Sequence, residues 1–64
     1  MNWPKIIQLI RENLFITQSE LAQMIDVSFA SINRWERGHH EPTMKAKRKL
    51  AQICKENHIN MEVE

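Results

Sequence analysis

The chain has almost nothing with which to staple itself. Its 64 residues contain one cysteine, Cys54, so no internal disulfide is available. A domain of this size buries only roughly 60% of the surface that its unfolded chain exposes. One glycine and two prolines are too few for a turn-rich β-sandwich or barrel, and helices are expected instead. No apolar run exceeds three residues, Leu14-Phe15-Ile16, which leaves no candidate transmembrane span or signal-peptide core; a reducing cytoplasm is the expected location. The net charge is only +1, so bulk electrostatics alone does not announce a nucleic-acid partner. What is present is 42% hydrophobic and 27% charged residues, the composition of a folded globular domain. A single domain over residues 1–64 is expected.

The charge is unevenly placed. Residues 1–32 set Lys5 and Arg11 against Glu12, Glu20 and Asp26, a net −1. Residues 34–49 set Arg34, Arg37, Lys45, Lys47, Arg48 and Lys49 against Glu36 and Glu41, a net +4, with His39 and His40 inside the same window. Such a stretch is either a solvated helix surface or a phosphate-facing stripe, and only its structural context separates the two.

Hydrophobic spacing predicts four helices and a tail. Pro4 suits a first helical turn, where its missing N–H costs nothing. Ile6, Ile7, Ile10 and Leu14 follow at helical spacing, which predicts a helix over about 3–14. Thr17-Gln18-Ser19-Glu20 is a capping box that starts a second helix at Gln18, with Leu21, Ala22 and Ile25 inward. Asp26-Val27-Ser28 carries turn chemistry, and Ser28 caps a third helix that runs to about Arg37 and stops at Gly38. After a loop from His39 to Pro42, Thr43 caps a fourth helix with Leu50, Ile53 and Cys54 inward. Ile59 to Val63 alternates apolar and polar residues, the period of a strand.

Two short helices joined by a three-residue turn are a helix-turn-helix arrangement. On a wheel of about 100° per residue, the third helix turns Ile32 and Trp35 inward, flanked by Glu36. Ala30, Asn33, Arg34 and Arg37 face outward, with Phe29 and Ser31 on the shoulders. That outward face has no acid. Asn and Arg make bidentate contacts to base edges, Ser bonds phosphates, and Phe packs on a thymine methyl. Gln18 stands where free amides and the positive end of a helix dipole favour a phosphate.

The run Thr17-Gln18-Ser19-Glu20-Leu21-Ala22, followed by Val27-Ser28, Ile32, Trp35-Glu36 and Gly38, resembles the lambda-repressor-like helix-turn-helix proteins of Cro and Xre type, over about residues 6–55. The resemblance implies an all-α, compact four- to five-helix bundle, here with a short extended C-terminal tail, and a motif at about 18–37. It also implies a transcriptional regulator, most plainly a repressor, that occupies operator DNA as a symmetric dimer. Carried over by position, Gln18 matches a phosphate-contacting glutamine. Phe29, Ala30 and Arg34 match base-reading positions, which Asn33 joins from the wheel. Ser31 and Arg37 match backbone contacts, and Arg11 and Glu36 match a pair that in some members links the first helix to the end of the third. Ser28, His39 and Lys45 complete the expected phosphate contacts, while Lys47, Arg48 and Lys49 are expected in solvent. Two departures stand out. Asp26 occupies a turn position that usually holds glycine and needs a left-handed backbone, which Asp tolerates better than most residues. Phe29 and Ala30 replace the glutamines of many relatives, which shifts base discrimination to Asn33 and Arg34.

Other chemistries find few parts. Cys54 and His58 fall i, i+4 on one expected helix face and His39-His40-Glu41 adds more possible ligands, but a zinc site wants four, so no metal or other cofactor is expected. Ser19, Ser28 and Ser31 have no evident His and acid partners, there is no Gly-rich phosphate loop, and no enzyme is expected. The alternative function is a protein-binding module of antitoxin type on the same fold; its third helix would show an apolar or acidic outward face, unlike Asn33, Arg34 and Arg37. Residues 59–64, by their alternation, are the expected strand-like contact between two copies.

Overall fold

The computed structural model describes residues 1–63 and contains four helices in the order α1 (Trp3–Leu14), α2 (Gln18–Met24), α3 (Phe29–Glu36) and α4 (Met44–Glu56). Each start has a side-chain cap that satisfies an otherwise orphaned N–H. Asn2 accepts from Lys5 N at 3.2 Å ahead of α1, a cap that hydrophobic spacing does not disclose. The capping box of α2 is complete, with Glu20 N donating to Thr17 Oγ1 at 3.1 Å and Thr17 N donating to Glu20 Oε1 at 2.8 Å. Ser28 Oγ accepts from Ser31 N ahead of α3, and Thr43 Oγ1 from Ala46 N ahead of α4.

The ends use left-handed residues. Phe15 closes α1 at φ 56°, Asp26 follows α2 at φ 58°, and Gly38 follows α3 at φ 79°. At the turn between α2 and α3, Val27 N reaches back to Ala22 O at 2.9 Å. Asp26 therefore takes the conformation for which glycine is the default residue. Helix α3 ends at Glu36 with Arg37 as its cap, one residue before the expected boundary.

Helix α3 packs against both α1 and α2, and α4 closes on α1. Ile6, Ile7 and Ile10 meet Leu21, Ala22 and Ile25, then Ile32 and Trp35, then Ala46, Leu50, Ile53 and Cys54, in one buried cluster. Trp3 joins it, although its place at the very start of α1 kept it out of the sequence-derived stripe. Burying Ile32 and Trp35 fixes which side of α3 remains outside, and that is what positions the site.

One expectation is corrected at the end of α4. The helix stops at Glu56, and His58 adopts φ 56°, so Cys54 and His58 do not share a helix face. Residues 59–63 carry neither helix nor strand; Ile59, Met61 and Val63 pack, partly buried, on the chain's own core. Ile59 N bonds Cys54 O, Glu62 N bonds Asn60 Oδ1, and Val63 N bonds Met61 O, so three of its amides are already engaged. No helix among the described residues is long and apolar enough to cross a membrane.

Candidate nucleic-acid interface

Because Ile32 and Trp35 anchor α3 to the core, the opposite side of the helix is open. Ala30, Arg34 and Arg37 are exposed and Asn33 is half-buried. Phe29, in the first turn, is exposed, with 53% of its surface in solvent. Ser28 and Ser31 face each other with their hydroxyls 3.0 Å apart. Each hydroxyl retains capacity for a further bond. Donors and short side chains make up this face, and Glu36, the one acid of α3, is turned inward.

Glu36 is the junction of three helices. Arg11 on α1 donates through Nε to Glu36 Oε2 at 3.0 Å and through Nη2 to Oε1, a two-pronged ion pair. Gln18, the first residue of α2, donates through Nε2 to the same Oε2 at 3.0 Å. Burial alone would push the Glu36 carboxyl up, but the bonds from Arg11 and Gln18 and the Arg11 charge outweigh it, so the group sits below its ordinary value. The hydrogen bond to Glu36 raises the Arg11 guanidinium above its own ordinary value, although burial opposes the rise. The carry-over by position pairs Arg11 with Glu36 but gives no sign of Gln18, because a bond across 18 residues leaves no local signature.

The basic window divides. Arg34, Arg37, Lys45 and Arg48 are exposed. Lys47 and Lys49, expected in solvent, are not free. Lys47 pairs with Glu41 at 3.0 Å and lies over the Trp3 ring, 5.7 Å from its centroid. Lys49 Nζ donates to the Ile25 carbonyl at 3.1 Å, against the end of α2, where a cation complements the negative end of the helix dipole. The reason for the correction is tertiary: α4 lies where its inner lysines reach neighbouring elements. His39 and His40 are exposed and line a cleft of about 250 Å³ with Trp3 and Pro4.

Among the described residues no group of three or more His, Cys, Asp or Glu side chains is gathered for a metal ion. Cys54 is buried, and burial pushes its thiol up, which keeps it protonated and unreactive at neutral pH.

Two short helices at a tight left-handed turn, the second presenting donors outward, define a helix-turn-helix unit. The helix-turn-helix family matches residues 7–58, and the chain belongs to that family, in its Cro and Xre branch. It is similar to the HTH-type transcriptional regulator DicA of Escherichia coli (strain K12), with 49% identity over 35 residues, covering 55% of this chain and 26% of the relative. The chain thus spans about a quarter of the length of that relative. No solved structure matches the chain at a significant level.

Proposed function

We propose that the chain is a sequence-specific, double-stranded-DNA-binding transcriptional regulator that represses by occupying operator DNA, with α3 entering the major groove. The observation that carries this reading is the outward face of α3. Arg34 and Arg37 are exposed, Asn33 is partly so, Ala30 is small enough for close approach, and the only acid of the helix is turned in toward Arg11. In this reading Phe29, Ala30, Asn33 and Arg34 meet base edges, while Gln18, Ser28, Ser31, Arg37, His39 and Lys45 hold the phosphates. The kinship with a transcriptional regulator supports it. The working location is the cytoplasm, where the DNA is.

One helix-turn-helix unit reaches few phosphates, which rarely gives useful affinity at physiological salt. The reading therefore calls for a twofold pair of chains on a near-palindromic site, with half-sites about 34–36 Å apart. Residues 59–64 are the proposed contact; Glu64 lies outside the described residues. Selection of bound sites from random duplex DNA tests both parts at once. Enrichment of a palindrome with one guanine-bearing motif in each half supports the reading. Recovery of unenriched DNA, or of none, overturns it.

A further inference from the structure

We propose that Glu36 is a positioning residue for DNA binding, orienting the Gln18 carboxamide toward the duplex backbone, and that the Arg11 pair serves this role as well as stability. The inference rests on the DNA-binding reading above. A carboxylate only accepts hydrogen bonds, so an amide 3.0 Å from Glu36 Oε2 must turn its nitrogen and not its oxygen toward it. That contact uses one of two N–H groups and leaves the second for another acceptor. Gln18 is the first residue of α2 and half-buried. Without Glu36 its carboxamide would rotate freely, and a donor aimed at a phosphate would lose that aim. Glu36 is fixed in turn, because Arg11 grips both of its oxygens from α1. The lowered Glu36 carboxyl is consistent with the same arrangement, since the donors from Arg11 and Gln18 outweigh burial.

A phosphate contact is blind to sequence, so the experiment uses a short random-sequence duplex at low salt. The intact chain is compared with Gln18→Ala, Glu36→Ala and the double variant. Each single change should lower affinity about fivefold, the worth of one modest hydrogen bond, and the double variant should bind no more weakly than Gln18→Ala alone. Losses that multiply, or a folded Glu36→Ala chain that binds like the parent, would overturn the positioning role. Failure of the parent chain itself to bind duplex would overturn the DNA-binding reading beneath it. Should Glu36→Ala not fold, the unmodified chain still decides the matter. The Gln18 side-chain amide proton resonances should move as Glu36 is titrated with acid, and amide signals that stay fixed through that titration would sink the proposal.

Discussion

Lys49 on α4 donates its ammonium to the Ile25 carbonyl at the end of α2, 3.1 Å away and 24 residues distant in sequence. The contact braces the turn of the helix-turn-helix from outside, so Lys49 belongs to the scaffold. Lys45, four residues earlier on α4, is exposed. The two lysines should therefore separate cleanly. Lys49→Ala should lower stability by about 1.5 kcal/mol, the low end of the worth of a hydrogen bond to a charged group, and leave the salt dependence of duplex binding unchanged. Lys45→Ala should leave stability unchanged and reduce the slope of log affinity against log salt by about 1. Urea denaturation and binding at several salt concentrations check both; a swap of the two effects would reverse the assignments.

Local signals account for most of the fold. Thr17 with Glu20, Ser28 and Thr43 announce three helix starts because a cap is a contact over three residues. The stripe Ile6, Ile7, Ile10 announces the buried face of α1 because helical period and burial coincide there. Asp26 was legible as a turn residue for the same local reason, and as a left-handed one only through the family resemblance. What was not legible is tertiary. Nothing near Lys49 in sequence points to Ile25, and nothing near Gln18 points to Glu36. The tail's alternation was legible too, but Ile59, Met61 and Val63 pack partly buried on the chain's own core, a contact that a period-two pattern does not disclose.

Arg34 carries the largest share of proposed base discrimination. An arginine bidentate to guanine contributes about 1–3 kcal/mol of discrimination. Arg34→Ala should weaken binding to a selected site by that amount and binding to random duplex far less. Competition titrations against both DNAs measure the difference. Equal losses would make Arg34 a phosphate contact.

The ion pair at Glu36 makes the protein acid-sensitive in a defined direction. Glu36 has a lower proton affinity in the folded chain than its ordinary value, so its contribution is complete above the unfolded carboxylate range, about 4.3 for Glu. It is lost as pH falls through the still lower folded value. Arg11 is raised and stays charged throughout. Glu36→Gln should accordingly flatten the fall in the urea midpoint between neutral and acidic pH. Glu36→Ala, which leaves Arg11 partly buried and unpaired, should cost about 2 kcal/mol. That is a large fraction of the roughly 3–10 kcal/mol expected of a domain this size. An identical pH dependence in parent and Glu36→Gln would show that other carboxyls govern acid unfolding.

Phe15 combines two unfavourable features at one position. It closes α1 in the left-handed region at φ 56° and ψ 45°, and 94% of its surface is exposed. The left-handed conformation costs a side chain roughly 1–2 kcal/mol through the clash of Cβ with the backbone. The exposed ring recovers almost none of that by burial. Glycine removes the clash but adds freedom to the unfolded chain, which costs roughly 0.5–1 kcal/mol. The difference leaves Phe15→Gly more stable by about 0.5–1 kcal/mol, a rise in melting temperature of about 2–8 °C for a domain of this length. Phe15→Ala, which keeps the Cβ and loses only the solvated ring, should melt close to the parent. Thermal melts of the three chains side by side measure the strain net of the glycine cost. A glycine variant that melts no higher than the alanine one would show that the left-handed strain at Phe15 does not exceed the freedom glycine adds to the unfolded chain.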